Sequence, residues 1–333
     1  MHKVRKVVLS VTVVGLLAAG LLFALTSGRY RHDMRGLEDR LRAGSRVMAT
    51  SFGDIEYASR GEGEPVLVVH GAGGGYDQGL ILGEAALGTG LRLIVPSRFG
   101  YLRSSIPGDA SPRAQANAYA ALLDGLGIPE ATVVAVSDGG PSALQFALRH
   151  PERCTALVMI SAKSHTPPTE TLLQKVTFNV IFRSDYLYWL VTESFEPFLL
   201  SMFGVPEEAQ ARLDPASERL IGEFLASMHP MSQRRAGIYN DRATLAVLAE
   251  RDFALERITA PTLVVHAVDD GLQPYSHAEH THRRVPGARL LSFPTGGHMV
   301  LVGHADGIRQ RVRRLIQSGG GVPMPSRVDG GRR

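Results

Sequence analysis

Three side chains that together support nucleophilic catalysis lie far apart in the chain, each after a short apolar run. Ser137 follows "TVVAV", Asp270 follows "TLVVHAVD" and His298 follows "LLSFPTGG". A serine hydroxyl is a weak nucleophile that needs an imidazole as base and a carboxylate to orient that imidazole. For a serine on a strand–turn–helix elbow, the expected order along the chain is serine, acid, histidine. The three residues therefore predict attack of Ser137 on an acyl carbonyl, with His298 as base and Asp270 as orienting acid.

The residues around Ser137 are small, as a sharp turn between a strand and a helix requires. Ala135 and Gly139 stand two positions before and after the serine, and the helical pattern "GPSALQFALRH" follows. We expect larger side chains at these positions to collide across the bend. The pattern A-x-S-x-G departs from G-x-S-x-G at its first residue. Taken singly, Ser137 also fits a helix N-cap, Asp270 a turn and His298 a surface loop, but their joint order favours the catalytic interpretation.

The acid has an alternative directly beside it. Asp269 and Asp270 both follow the strand candidate "PTLVVHA". The spacing from His266 and towards Pro274 favours Asp270 as the acid.

Backbone amides are the predicted donors to the oxyanion that forms during acyl transfer. The glycine-rich segment "HGAGGG" leaves a strand candidate at a point where amides must face a ligand. We predict the amides of Ala72 and Asp138 as the two donors, with Gly73 as the alternative to Ala72.

The elements that position these residues are indicated by short apolar, β-branched runs. A hairpin is predicted in "VMATSFGDIEYAS", with residues 52–54 at its turn, and six more strands in "PVLVVHG", "LRLIVPS", "ATVVAVS", "ALVMISA", "PTLVVHA" and "ARLLSFP". Several runs are apolar throughout, as strands covered on both faces are. Helical patterns lie between them; one begins at Ser111 and Pro112, and the last has an apolar face over residues 308–316. This alternation predicts an α/β fold with a mostly parallel, doubly wound sheet.

Residues 164–250 interrupt the alternation with helical patterns and no convincing strand. They contain Trp189 and five of the twelve phenylalanines, at positions 178, 182, 195, 198 and 203. One interpretation is a helical insertion that packs on itself. The other is a lid whose apolar underside lines an acyl or alkyl pocket or lies on a bilayer. The two interpretations are compatible.

Charge is distributed unevenly along the 333 residues, whose formal net charge is +4. Residues 1–46 and residues 309–333 each carry a net charge of +6, which leaves −8 for residues 47–308. An acidic middle argues against nucleic-acid binding by the main domain. Basic ends beside an apolar segment favour a membrane surface as a partner.

Residues 7–28 contain no charged residue and supply about the 20 apolar residues that a membrane-spanning helix needs. We predict an uncleaved, single-pass membrane anchor over residues 7–26. A cleaved secretory signal is the alternative, although Ala24 and Thr26 make a poor cleavage site, and a buried soluble helix is the third interpretation. Basic residues on both sides nearly balance under the positive-inside rule, and we favour export of the main domain.

The single cysteine and the histidine-rich segment do not indicate a further site. Cys154 begins the apolar run "CTALVMIS", which indicates a buried structural thiol, and one cysteine excludes an intramolecular disulfide. In "SHAEHTH", His277 and His280 share a helix face and His282 follows, but no carboxylate or cysteine pattern completes a zinc site. We predict a solvated helix there, and neither a metal nor a cofactor.

The segments "HGAGGG", "PSRFGYLRSS", "VSDGGPSALQFALRHPER", "LVVHAVDDGLQP" and "GGHMVLVGH" together resemble the α/β-hydrolase family over residues 47–317. The resemblance implies a Ser137–Asp270–His298 triad, an eight-stranded sheet and a helical cap inserted after the sixth strand. It speaks against haloalkane dehalogenases and epoxide hydrolases, which carry an aspartate at the elbow, and against proline iminopeptidases, which usually read HGGPG. The chain departs from the family pattern at Asp138, an acid directly after Ser137. Its charge suits a helix N-terminus but would oppose an oxyanion if the side chain pointed inward.

The predicted organisation follows from these features. The parts are an anchor or signal (1–28), a polar connector (29–46), the hydrolase core (47–163 and 251–317), the cap (164–250) and a disordered tail (318–333). We predict a serine hydrolase of the carboxylesterase or lipase type that acts on a small-molecule ester with an apolar acyl or alkyl group. Alternatives with the same triad are C–C bond hydrolysis, thioester cleavage and perhydrolysis. A non-catalytic, membrane-tethered binding protein is the alternative from a different class.

Overall fold

The chain forms two compact units, residues 1–42 and residues 43–333. The computed structural model describes residues 2–166, 172, 175, 179–205, 207–211, 213–245 and 253–317. The predicted tail at 318–333 lies outside the described residues.

The first unit is built on one long helix. Helix α1 spans His2–Met34 and therefore continues past the predicted end of the anchor at residue 28; α2 spans Leu37–Ala43. Gly36 stands between them with a φ of +67°, which glycine adopts without a steric penalty. Within the described residues, the helical stretch Thr12–Ala43 is long enough to cross a membrane and contains an 18-residue window with a mean hydropathy of 1.5.

Eight strands form the sheet of the second unit. They are β1 Arg46–Thr50, β2 Gly53–Arg60, β3 Glu64–Val69, β4 Leu91–Pro96, β5 Ala131–Val136, β6 Cys154–Ile160, β7 Thr262–Ala267 and β8 Arg289–Phe293. Their order is β1-β2-β4-β3-β5-β6-β7-β8. Strand β2 is antiparallel to β1 and β4, and the other neighbours are parallel. The predicted α/β fold with a mostly parallel, eight-stranded sheet is confirmed.

The hairpin turn lies earlier than predicted. Thr50 pairs with Gly53, so Ser51 and Phe52 form a two-residue loop and β2 already begins at Gly53. The Thr50 hydroxyl donates to the Gly53 carbonyl and accepts from the Phe52 amide. These side-chain hydrogen bonds close the turn at residues 51 and 52, whereas the prediction placed it at residues 52–54.

Helices follow the strands as the sequence alternation predicted. Three of them lie before β6: α3 Tyr76–Leu87, α4 Pro112–Gly125 and α5 Gly140–Arg149. The described residues between β6 and β7 contain α6 Asp185–Ser194, α7 Glu196–Met202, α8 Glu207–Gln210, α9 Pro215–Ala226 and α10 Arg235–Leu245. Two more follow β7 and β8: α11 Ser276–Arg284 and α12 Ala305–Gln317.

Local signals set the ends and faces of the core helices. Ser111 is the N-cap of α4, where its hydroxyl accepts from the Ala114 amide, and Pro112 is the first helical residue, as predicted. In α12 the buried side chains include Ile308 and Val312, which lie on the predicted apolar face. The central strands β3 and β5 are buried because helices pack on the sheet around them.

Cys154 lies buried at the start of β6. Burial raises the pKa of its thiol to about 12, so the thiolate is scarcely populated at neutral pH. This agrees with a structural role for the cysteine.

Candidate active site

Ser137 stands directly after β5, in a tight turn that leads into α5. Its φ is +53°, in the left-handed region that non-glycine residues rarely adopt. Position 139 has room for glycine only, because a Cβ there would lie 2.7 Å from the carbonyl oxygens of Val69 and His70. The predicted need for a small residue therefore holds, but the collision would be with the end of β3 rather than across the bend.

The fold brings the three predicted triad side chains into one hydrogen-bonded row. Ser137 Oγ lies 2.9 Å from His298 Nε2, and His298 Nδ1 lies 2.9 Å from Asp270 Oδ2. All three residues are buried. Ser137 follows β5, Asp270 follows β7 and His298 follows β8. They meet because parallel strands bring their carboxyl ends to the same edge of the sheet. With the Nδ1 proton donated to Asp270, Nε2 is free to accept the serine proton.

Asp270 accepts three hydrogen bonds and has a second imidazole beside it. Its Oδ1 accepts from the amides of Leu272 and Gln273, at 2.9 and 2.8 Å, and its Oδ2 accepts from His298. His266 Nε2 donates to the Gln273 carbonyl at 2.9 Å and lies 3.1 Å from Asp270 Oδ2. Burial by itself would raise the pKa of Asp270, but His298 and His266 outweigh it and hold this pKa well below its usual range. Asp270 therefore stays ionised beside the imidazole.

Asp269, the alternative acid, has a different position. Its carboxylate accepts from the amides of Gly296 and Gly297, at 3.3 and 2.8 Å. Both glycines have positive φ, and a Cβ on Gly297 would lie 1.8 Å from the Gly204 carbonyl oxygen. Asp269 thus secures the loop that presents His298, while Asp270 contacts the imidazole itself.

The predicted oxyanion segment forms a tight turn after β3. The Gly74 amide donates to the Gly71 carbonyl at 3.4 Å, and Gly73 has a φ of +71°. The Gly73 amide donates to Tyr101 Oη, whereas Ala72 lines the same cavity as Ser137. The Gly73 amide is therefore engaged within the protein, and Ala72 stays the predicted donor after β3.

A buried arginine holds the first end of this turn. Arg98 donates to both carboxylate oxygens of Asp241, at 2.7 and 2.6 Å, and to the Gly71 carbonyl at 3.1 Å. Tyr101 Oη donates to the same carboxylate. Because Asp241 lies on α10, Arg98 and Tyr101 connect the loop after β4 with the segment between β6 and β7.

A second buried arginine holds the other end. Arg234, in the segment before α10, donates to the Gly74 carbonyl at 2.7 Å and to the two carboxylate oxygens of Asp77, at 3.0 and 2.7 Å. Sequence reasoning missed Arg234, Asp77 and Asp241. No local signal marks them, since each pair joins residues more than 140 positions apart.

The histidine-rich helix α11 differs from the prediction. His277 is buried and its Nδ1 accepts from the Ser164 amide at 3.2 Å. Burial, followed by the charges of His165 and Lys163, lowers the pKa of His277 to about 3, so it is neutral. The prediction of a solvated helix is wrong at this position, because α11 packs this face against β7 and β8. Within the described parts of the chain, no group of three His, Cys, Asp or Glu side chains is arranged to hold a metal ion.

An apolar cavity opens onto Ser137 and His298. Side chains from between β6 and β7 form one wall of it, including Phe182, Phe203, Leu220, Phe224 and Met228. The core contributes apolar residues and one amide side chain, Gln78; the others are Leu82, Val136, Ile160, Leu272, Met299, Leu301 and Val302. The cavity therefore fits an apolar group beside Ser137.

The described aromatic side chains of residues 164–250 lie in three environments: the cavity wall, the packed interior and the surface. Phe182 and Phe203 line the cavity, and Trp189 is buried. Phe195 and Phe198 are 58% and 42% exposed, and Phe178 lies outside the described residues. Both packing and pocket lining are therefore present in this segment.

Comparisons with known proteins agree with this architecture. The family model of the alpha/beta hydrolase fold matches residues 64–305. The hydrolase YcgS of Bacillus subtilis is 30% identical over 272 residues, which cover 78% of this chain and 93% of YcgS. The 2-hydroxymuconate semialdehyde hydrolase of Pseudomonas putida is 27% identical over 78% of this chain and 88% of its own length. The solved structure of an alpha/beta hydrolase fold protein from Nakamurella multipartita is 32% identical, with a TM-score of 0.72 over 83% of this chain and 100% of that one.

The match of the family model covers most of the chain, and the fold and the order of the strands agree with it. The chain belongs to the α/β-hydrolase family. Hydrolases among its relatives act on small molecules.

Proposed function

We propose that this protein is a serine hydrolase that cleaves an ester with an apolar acyl or alkyl group through an acyl-serine intermediate. The observation that carries the proposal is the row of contacts from Ser137 through His298 to Asp270, two hydrogen bonds of 2.9 Å at the mouth of an apolar cavity. A non-catalytic binding protein has no need of this arrangement.

The geometry supports the following steps. His298 Nε2 takes the proton of Ser137 as the oxygen attacks the acyl carbonyl, and Asp270 stabilises the imidazolium. The amides of Ala72 and Asp138 donate to the oxyanion, and His298 returns its proton to the departing alcohol oxygen. Water, deprotonated by the same imidazole, then attacks the acyl-serine; the imidazolium returns this proton to Ser137 Oγ as the acyl–oxygen bond breaks and the acid is released.

The substrate is proposed from the cavity lining. Its walls are almost entirely apolar, and the described helices between β6 and β7 supply one of them, so these helices act as a cap over the nucleophile. An acyl or alkyl chain gains free energy by leaving water for such a site. For a polar substrate, in contrast, the cavity offers one neutral polar side chain, the amide of Gln78, besides Ser137 and His298.

C–C bond hydrolysis is the second candidate. It is favoured by the 27% identity with a 2-hydroxymuconate semialdehyde hydrolase, which extends over most of both chains. The same serine, histidine and aspartate serve in this case, and the leaving group is a carbon atom instead of an alcohol oxygen.

The two candidates are separated by assaying the purified protein against p-nitrophenyl esters of increasing chain length and against vinylogous diketones. We expect turnover of the esters, and Ser137→Ala to lower kcat by at least about 10³-fold. A fluorophosphonate probe should add its mass to the peptide that contains Ser137.

Ser232→Ala, at an exposed serine away from the cavity, is the matched control and should behave as the wild type. Substantial ester hydrolysis by Ser137→Ala would refute the nucleophile assignment. Turnover of the diketones alone, abolished by Ser137→Ala, would replace ester cleavage by C–C cleavage.

A further inference from the structure

The carboxylate of Asp138, directly after the proposed nucleophile, is held away from solvent by a lysine. Lys163 Nζ lies 2.7 Å from Asp138 Oδ1, and the two side chains are 9% and 15% exposed. Gln273 Nε2 donates to the same oxygen at 3.1 Å. The backbone amide of Gln273 donates to Asp270, so Asp138 is linked to the loop of the proposed acid.

Residue 163 also contacts the elbow through its backbone. The Lys163 amide donates to the Ser137 carbonyl at 3.0 Å. Gly140 permits this approach, since a Cβ there would lie 2.2 Å from the Lys163 carbonyl oxygen. The ammonium group of Lys163 is therefore fixed next to the residue whose amide is a proposed oxyanion donor.

Several charged groups act on Asp138. Burial by itself would raise its pKa, but Lys163, then Arg98 and then His298 outweigh burial and lower this pKa, so the carboxylate is ionised. Asp241 on α10 opposes them, and Tyr101 and His277 also interact with Asp138. Lys163 is the cation in direct contact.

An unneutralised carboxylate at this position would act against acyl transfer in two ways. It would repel the oxyanion that forms beside the Asp138 amide. It would also stabilise the protonated imidazolium of His298, and a protonated His298 cannot accept the serine proton.

We propose that Lys163 is a positioning residue whose ammonium group neutralises Asp138, so that the acid after the nucleophile opposes neither the oxyanion nor the neutral imidazole. This inference rests on the proposed function. It explains how a chain with an acid directly after the serine remains competent for acyl transfer.

The test is a double-mutant cycle with Lys163→Met, Asp138→Asn and the charge-neutral double variant, measured as pH profiles of kcat/KM on a p-nitrophenyl ester. We expect Lys163→Met to lower kcat about 10-fold with little change in KM, and to move the acid limb about one pH unit higher. Asp138→Asn should move the limb lower, and the double variant should return it to the wild-type position.

Lys163→Met leaves a buried carboxylate unpaired. If this variant does not fold, the proposal is tested by Asp138→Asn, whose acid limb should lie below that of the wild type, and by the double variant, whose limb should return to the wild-type position. An acid limb at the same pH in the wild type, in Asp138→Asn and in the double variant would overturn it, as would shifts of both single variants in one direction. Ser137→Ala separates the two levels: an active Ser137→Ala removes the proposed function, whereas an inactive one with unmoved limbs removes only the role of Lys163.

Discussion

At the residue scale, two adjacent aspartates divide the support of one histidine. Asp270 contacts the imidazole of His298, and Asp269 accepts from the amides of the loop that carries it. A carboxylate next to the imidazole fixes its tautomer and stabilises its charge, whereas a carboxylate on the loop supplies only hydrogen-bond acceptors. An asparagine side chain can therefore replace the hydrogen-bond acceptor that Asp269 supplies, but not the charge that Asp270 supplies.

The substitution Asp270→Asn should lower kcat by about 10⁴-fold, because an amide at this position permits the wrong imidazole tautomer. Asp269→Asn should stay within about 10-fold of the wild type, since its amide oxygen still accepts from Gly297. Steady-state kinetics on one p-nitrophenyl ester measures both. A larger loss in Asp269→Asn than in Asp270→Asn would exchange the roles of the two aspartates.

At the element scale, two buried arginines connect the turn after β3 with the segment between β6 and β7. Arg98 follows β4 and binds Asp241 on α10, while Arg234 precedes α10 and binds Asp77 on α3. Each arginine also donates to a carbonyl of the turn, at Gly71 and at Gly74. We infer that these contacts orient the turn and α10 relative to each other.

Removing the charge of Asp241 should therefore destabilise the fold. Asp241→Asn leaves the Arg98 guanidinium buried and unpaired, and we expect the free energy of unfolding to fall by about 3–5 kcal/mol. Urea denaturation followed by circular dichroism measures this change. The matched control is Asp306→Asn, because Asp306 is 96% exposed in its ion pair with Arg309 and exposed pairs contribute little. An effect of Asp241→Asn as small as that of the control would contradict a stabilising role.

At the scale of the whole molecule, the proposed membrane anchor and the hydrolase unit are separate compact units. Helix α1 has the length and apolar composition of a membrane-spanning segment. The charged residues after Gly28 continue the helix up to Met34, and neither glycine nor proline occurs between Gly28 and Gly36. The length of the helix thus exceeds the length of the apolar segment.

We predict that the full chain partitions into the membrane fraction and resists extraction with alkaline carbonate. Leu17→Arg and Leu21→Arg lie near the middle of the apolar segment, and each costs about 2.5–3.5 kcal/mol of insertion free energy. Together they should release the protein from the membrane fraction. Immunoblots of the fractions measure the partition, and intact mass separates an uncleaved anchor from a cleaved signal. Leu17→Ala with Leu21→Ala is the matched control and should remain membrane-bound. Carbonate extraction of the wild-type chain would refute the anchor.

Much of the core was predictable because its signals are local. Continuous apolar runs indicate strands that are buried on both faces, and Ser111 with Pro112 marks the start of a helix wherever that helix packs. The triad candidates were predictable for a related reason. In a parallel sheet, a polar residue directly after a strand lies at the same edge as every other such residue, so Ser137, Asp270 and His298 converge once their strands are recognised.

The sequence by itself therefore determined the class of fold, the order of its strands along the chain and the three residues that meet at the sheet edge. Only the tertiary structure assigned Asp269 to the loop that carries His298, buried His277, paired Lys163 with Asp138 and joined Arg98 to Asp241. The physical reason is one of range. Propensity and periodicity act over a few residues, whereas the partner of a buried charge depends on which distant segments the packed core brings within about 3 Å.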